Sequence, residues 1–280
     1  MTLEDEPKLQ PSFQSLPVHY WQQGSDKQQK KLDDVAEEMA IALVYNGISH
    51  AVMMASPANL YEFSIGFSLS EGIINSASEM YDIELVTNEK GIEVHIEISS
   101  QRMMSLKSQR RNLTGRTGCG LCGSESLEQA IRPIKSVTPQ MPPSSRVIQH
   151  ALSQLTEYQK LQSLTGAVHG AAWCDATGDI ILLREDVGRH NALDKLIGAL
   201  ALHKINTSHG CVLISSRASY EMVQKVTTAN IATLVAVSAP TALAITLATQ
   251  ATLNLIGFAR PGRHTFYTKF DKQIGKSSHE

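Results

Sequence analysis

Apolar and polar positions alternate through much of the first hundred residues, then fall into a helical spacing interrupted by short apolar runs, and this change of period predicts the elements. Residues 1–32 are rich in Gln, Ser, Pro and Lys and lack apolar periodicity, so a partly ordered arm is expected there. Two strands are predicted over 38–45 and 50–55, joined by Asn46-Gly47, a dipeptide suited to the positive φ angles of a tight hairpin. Ser56 before Pro57 reads as an N-cap and first helical position, and Leu60, Phe63, Ile65, Phe67 and Leu69 continue a helix that Gly72 stops. A second hairpin is predicted from 81–86 and 92–98 around Asn88-Glu89-Lys90-Gly91. Residues 33–100 therefore read as a small α+β domain.

The stretch 101–145 changes character. Arg102, Lys107, Arg110, Arg111 and Arg116 lead into glycine-rich sequence, and Pro133, Pro139, Pro142 and Pro143 close it, so a linker carrying a mobile loop is expected. Beyond it, Ile148, Ala151, Leu152, Leu155 and Tyr158 fall at helical spacing. Strand-like runs then alternate with helices: 167–174, 180–183, a helix through Leu193 and Leu200, 211–215, a helix from Ser219, 234–237, a helix after Pro240, and 253–258. That order predicts a three-layer α/β domain over 146–280 with a mostly parallel sheet, in which ligands sit beyond the carboxyl ends of the strands.

Composition narrows the partners. In 280 residues, Lys and Arg total 25 against 27 Asp and Glu, so no global field draws the chain to nucleic acid or an anionic membrane, and an anionic ligand must be held locally. The N-terminus has no basic region followed by an apolar run, which excludes a secretory signal and makes the cytoplasm the expected compartment. The most apolar stretch, 229–251, contains Pro240 and several Thr and Ser, which suits buried strand and helix rather than a membrane span. In a reducing compartment a close thiol pair is catalytic, redox-active or metal-binding more often than a structural disulfide.

The four cysteines divide accordingly. Cys174 and Cys211 lie in apolar strands and are expected as small buried hydrophobes. Cys119 and Cys122 lie among Gly115, Gly118, Gly120 and Gly123. Ser124 and the residues to 131 read as a short helix whose positive end, with Arg116, favours thiolate over thiol. Three readings are open: half of a zinc site, for which no second CxxC or HxxxH supplies ligands; a thioredoxin-like dithiol, which belongs at the start of a βαβ unit; and a sulfur carrier. A carrier would hold a persulfide on one cysteine while the other assists release.

Anion-binding devices recur at the strand-to-helix transitions. Asp186, Gly188, Arg189, His190 and Asn191 occupy one, with Gly188 to free the turn and the basic side chains at a helix N-terminus. Ser216, Arg217 and Ser219 occupy a second and Ser238–Thr241 a third, while Arg260 and Arg263 bracket Pro261-Gly262 after Phe258 and Ala259 at the last strand. His169 is open between a hydrogen-bonded core histidine and a pocket residue.

Gly118-Cys-Gly-Leu-Cys-Gly123, Glu185-Asp-Val-Gly-Arg-His-Asn-Ala-Leu-Asp-Lys195, Ser216-Arg-Ala-Ser-Tyr-Glu-Met-Val-Gln-Lys225 and Leu255-Ile-Gly-Phe-Ala-Arg260, in this order, resemble the formate dehydrogenase accessory sulfurtransferases, the FdhD/NarQ family. Met54-Ala-Ser-Pro-Ala-Asn59 and Ile65-Gly-Phe-Ser-Leu-Ser-Glu-Gly-Ile-Ile74 fit its N-terminal part. The resemblance implies a cytoplasmic homodimer that takes sulfur from a cysteine desulfurase as a persulfide. It would pass that sulfur to the bis-molybdopterin guanine dinucleotide cofactor destined for the formate dehydrogenase apo-enzyme. Cys119 matches the persulfide-bearing position, and residues 258–263 match the segment that binds the guanine dinucleotide part. A chaperone that binds the cofactor without transferring sulfur is the alternative. The family's fold is related to cytidine deaminases, which place H-x-E at one junction and P-C-x-x-C at the next. Here the junctions carry His190-Asn-Ala192 and Ser216-Arg-Ala-Ser219, so neither zinc nor deaminase activity is expected.

Overall fold

The period of two over the first hundred residues becomes a four-stranded sheet in the computed structural model, which describes residues 11–24, 28–114 and 133–270. Strands β3 (Met39–Tyr45), β4 (Ile48–Ala55), β5 (Met80–Asn88) and β6 (Gly91–Ile98) lie in the order β4-β3-β6-β5, with β3 and β6 parallel and the outer pairs antiparallel. The predicted β3–β4 turn is present, Asn46 and Gly47 having φ of 46° and 76°. Helix α1 (Leu60–Ser70) covers the sheet with Phe63, Ile65 and Phe67, which join Ile41, Leu43, Val94 and Ile96 in one core.

Three local expectations differ. Helix α1 is preceded by Asn59 at φ 57°, three residues after the expected cap, because the polar atoms of Ser56 are bonded elsewhere: its N–H to Asp186, its Oγ to the N–H of Val187 and its carbonyl to Lys195. Residues 100–114, expected within the linker, form helix α2 (Ser100–Thr114), since Met103 and Leu106 bury one turn apart in the first core and make folding favourable despite the polar composition. Within the expected N-terminal arm, β1 (Phe13–Tyr20) and β2 (Gln29–Ala36) pair as an antiparallel ribbon. Its faces are both largely exposed, so no alternation of apolar residues marks it.

The second half follows the predicted alternation. Helices α3 (Ser145–Tyr158) and α4 (Lys160–Thr165) precede β7 (His169–Cys174) and β8 (Ile180–Asp186); then come α5 (Arg189–Leu202), β9 (Cys211–Ile214), α6 (Tyr220–Thr228), β10 (Thr233–Ala236), α7 (Ala242–Gln250), β11 (Asn254–Arg260) and β12 (Arg263–Thr268). The six strands are ordered β12-β11-β10-β9-β7-β8. Parallel pairing is confined to β9-β10-β11, and β7, β8 and β12 join antiparallel because tight turns rather than helices precede β8 and β12. The expected mostly parallel sheet is therefore mixed. Ile148, Ala151 and Leu155 of α3 pack on one face against Leu213, Val235 and Ile256. Leu193, Leu196, Met222, Val226, Leu247 and Ala248 from α5, α6 and α7 pack on the other against Val212, Ile214, Leu234 and Leu255.

Helix α1 joins the two sheets' cores. A Cβ on Gly66 would lie 1.7 Å from the carbonyl oxygen of Asp194 in α5, and one on Gly198 would lie 1.8 Å from the carbonyl oxygen of Glu62, so the helices touch backbone to backbone. Arg184 grips the buried carboxylate of Glu62 with its Nε and Nη2, anchoring β8 to α1. Lys225 donates to both carboxylate oxygens of Asp194 at 2.9 Å, to Ser70 Oγ at 2.9 Å and to Glu71 at 3.2 Å. Burial works against its charge, but the Asp194 and Glu71 carboxylates outweigh this and hold the ammonium above its ordinary pKa.

Candidate functional site

Because β7 runs against β8 and β9, its first residue lies beside their last ones, and one end of the sheet gathers the predicted transitions. His169 pairs in register with Asp186, and the N–H of Ser215 donates to the carbonyl of Gly170 at 3.0 Å. Residues 215–219 and 238–241 run side by side, with the N–H of Thr241 donating to the carbonyl of Ala218 and a bridge between Ala218 and Pro240. The N–H of Phe258 then donates to the carbonyl of Ser238 at 3.1 Å, bringing the last strand into the same row.

Within this row the expected residues separate into supports and exposed groups. Asp186 is fully buried and receives the N–H of Ser56, the N–H of Gly188, Nδ2 of Asn191 and the ammonium of Lys195, the last at 2.6 Å. Asn191 is likewise buried and also donates to the carbonyl of Met54. Both therefore fix the shape of the 186–191 turn from within, and their polar groups are committed to the protein rather than turned to a ligand. A Cβ at Gly188 would meet Asn191 Nδ2 at 2.7 Å and displace the amide that bonds Met54 and Asp186.

Arg189, His190 and Ser219 stand further out. Nε of Arg189 and Oγ of Ser219 are buried without a hydrogen-bond partner among the described residues, the condition of groups that can receive a ligand. His190 Nε2 lies 2.6 Å from Glu221 Oε2, at the start of α6. Burial lowers the His190 pKa and outweighs the Glu221 carboxylate, with Arg189 and Lys225 adding to the lowering. Ser216 is buried with its hydroxyl turned to the carbonyl of Arg217, whose own side chain is exposed.

His169 is half-buried and lines a depression of about 400 Å³ together with Gln159, Gln162, Val168 and Ser215. Burial first, and the charge of Arg189 second, lower its pKa, while Asp186 opposes them. The imidazole is therefore biased towards its neutral form. Ser215 opens the second strand-to-helix transition marked by its hydroxyls and arginine, whereas Gln159, which ends α3, carries no sequence signal of its own. Only the fold brings them to His169. Gln159 is buried with Nε2 unpartnered among the described residues, and Ser215 Oγ accepts from the N–H of Gly170 at 2.9 Å, leaving its hydroxyl proton available.

The last strand ends in a hairpin. Phe258 has φ 47°, a left-handed conformation rare for a bulky side chain, at a break in the β11–β12 register. Ala259 points back into the core, and Arg260 and Arg263 are paired across the Pro261-Gly262 turn with both side chains exposed. Gln149 of α3 straps this turn, accepting from the N–H of Gly262 at 2.8 Å and donating to the carbonyls of Arg260 and Arg263. Cys119, Cys122 and the helix expected after Ser124 lie outside the described residues. Cys174 and Cys211 are fully buried and pair in register across β7 and β9, as expected of small buried hydrophobes.

A family model described as the FdhD/NarQ family matches residues 36–274. The chain belongs to the FdhD/NarQ family. Sulfur carrier protein FdhD of Cupriavidus necator is 54% identical over 257 residues, spanning 92% of this chain and 88% of the relative. The protein of the same description from Bordetella petrii is 50% identical over 236 residues, spanning 84% and 85%. A crystal structure from Desulfotalea psychrophila, described as a formate dehydrogenase accessory protein, superposes with a TM-score of 0.68 over 92% of this chain and 97% of its own, at 23% identity, and shares the mixed α/β fold. In this FdhD/NarQ chain the matched range holds the cysteine pair and every strand-end residue described above, whereas β1 and most of β2 precede it. Among the described residues, no helix is long and apolar enough to cross a membrane.

Proposed function

We propose that the chain is a sulfur carrier acting for formate dehydrogenase. The extended match to sulfur carriers at 54% and 50% identity carries this reading. Of the four cysteines, Cys174 and Cys211 are buried in the sheet, which leaves Cys119 and Cys122 to bear the cargo. Cys119 thiolate attacks the sulfane sulfur of a cysteine desulfurase persulfide, and the desulfurase cysteine leaves as a thiolate. In the second step Cys119 is itself the leaving thiolate, released as sulfur passes to the acceptor, and Cys122, three residues on in the sequence, assists release.

The acceptor in this reading is bis-molybdopterin guanine dinucleotide, bound as cargo in the cytoplasm and handed on to the dehydrogenase. Support comes from chemistry at the strand ends: an exposed aromatic at Phe258, guanidinium groups at Arg189, Arg217, Arg260 and Arg263, and hydroxyls at Ser216 and Ser219 suit a base linked to a pyrophosphate. We also read the six-stranded unit as a deaminase-like layout in which His190 is paired with Glu221, Ser216 and Ser219 stand where that layout has cysteines, and no step uses zinc.

Mass spectrometry after incubation with a cysteine desulfurase and cysteine tests the transfer. One added sulfur atom is expected, removed by a thiol reductant and absent from Cys119→Ala. If the unsubstituted protein gains none, transfer is wrong and a cofactor-binding chaperone stands in its place.

A further inference from the structure

The hairpin that carries Arg260 and Arg263 is poorly held by its own strands. Its ladder shifts register between Gly257 and Arg260, where Phe258 and Ala259 stand opposite the single residue His264, and resumes only at the Arg260–Arg263 pair. Pro261, whose ring fixes a negative φ, and Gly262 at φ 78° follow the pattern of a type II turn. Such a turn does not match the right-handed twist of the strands it joins and tends to splay them. Residues 260–263 are all exposed, so packing does not steady the tip either.

Gln149, in the second turn of α3, holds the tip from outside the ladder. Its Oε1 accepts from the N–H of Gly262 at 2.8 Å, and its Nε2 donates to the carbonyls of Arg260 at 3.2 Å and Arg263 at 3.4 Å. One backbone N–H and two backbone carbonyls admit a single orientation of the amide, since the flipped one would set donor against donor and acceptor against acceptors. Nε2 is therefore also the donor to Nδ1 of His264 at 3.2 Å, which leaves the proton of the neutral ring on its own Nε2, facing Ser145 Oγ at 3.1 Å. Burial lowers the His264 pKa and favours this neutral form. Ser145 and Gln149 lie four apart on one face of α3, and Ile148, Ala151 and Leu155 fix that helix to the sheet. We propose that Gln149 is a positioning residue for ligand binding, which keeps the Arg260–Arg263 hairpin in its binding conformation before the ligand arrives, so that the tip is ordered on folding rather than on binding. The proposal rests on the reading of this hairpin as the holder of a pyrophosphate.

A ligand that binds only the ordered tip has its affinity reduced by the fraction of molecules in which the tip is ordered. When ordering is fast, that fraction scales the association rate and leaves dissociation alone, whereas misplaced ligand contacts raise dissociation. Stopped-flow kinetics of the full chain with a fluorescent analogue of guanosine diphosphate separates the two. Gln149→Met fills a similar volume and makes none of the bonds to the hairpin. It should slow association about 3- to 10-fold with dissociation unchanged, and hydrogen exchange at Gly262 in the ligand-free protein should quicken about tenfold or more. Arg260→Ala with Arg263→Ala should instead raise dissociation. Parental association in Gln149→Met, a loss confined to dissociation, or unchanged exchange at Gly262 overturns the proposal and leaves the reading of the site standing. If the parent does not bind the analogue, or the double arginine variant binds it as the parent does, the reading of the site fails and the positioning role falls with it.

Discussion

Phe258 bears an uncommon cost for an exposed side chain. At φ 47° its Cβ crowds the backbone, a strain of about 1–3 kcal/mol that glycine would not carry, and the ring remains 42% exposed, so burial offsets only part of it. Gly257 before it leaves no room for a side chain of its own, since a Cβ there would lie 2.7 Å from Pro240 and 2.9 Å from Tyr267. Retaining a flat aromatic at a strained, solvent-facing position beside Arg260 and Arg263 is understandable where a base stacks on it, a contact worth about 1–3 kcal/mol. Phe258→Gly should therefore keep or raise the unfolding midpoint while weakening guanine nucleotide binding about 5- to 100-fold by calorimetry, and Phe258→Tyr should bind as the parent does. Equal nucleotide affinity in the glycine variant would remove Phe258 from the site.

At the scale of elements, the contact between α1 and α5 depends on two glycines that sequence periodicity does not single out. Gly66 and Gly198 each let the partner's backbone carbonyl approach where a Cβ would overlap it, so either alanine variant must push the helices apart. Each should lower stability in urea by about 1–3 kcal/mol or more, and the pair should not be additive, since one displacement relieves both clashes. A loss under 0.5 kcal/mol in both would mean that the helices are free to shift. The helices and strands themselves were legible, because apolar periodicity and Gly, Pro and Asn punctuation are local properties. The N-cap at Asn59 was not: Ser56 is an equally good cap in isolation, and residues 130 positions away recruit it. Helix α2 and the β1–β2 ribbon were also obscured, since basic and exposed side chains resemble linker composition when the few buried ones are unknown.

Across the whole molecule, the candidate site is shaped by a buried network joining the chain's two halves. Transitions rich in Gly, Ser and Arg announced where a ligand could sit, but the division between Asp186 and Asn191 as supports and Arg189 and Ser219 as outward groups depends on Ser56, Met54 and Lys195, which only tertiary structure supplies. Lys195 is fully buried, pairs with Asp186 at 2.6 Å and donates to the Ser56 carbonyl at 2.9 Å, so the turn before α1 and the turn before α5 share one ion pair. Removing only the ammonium leaves a buried carboxylate uncompensated, at a cost of about 3–5 kcal/mol. Lys195→Met should lose about that much in urea unfolding and should increase hydrogen exchange at Val187 and Gly188, whose amides donate to Ser56 and Asp186. Lys195→Met with Asp186→Asn should recover part of the loss, because no charge remains buried and the amide oxygen can still accept from Gly188 and Asn191, although the Ser56 N–H then loses its acceptor. A loss below 1 kcal/mol in Lys195→Met, with unchanged exchange at both amides, would show that the two halves are held by α1 packing alone and that the site's turn needs no support from Ser56.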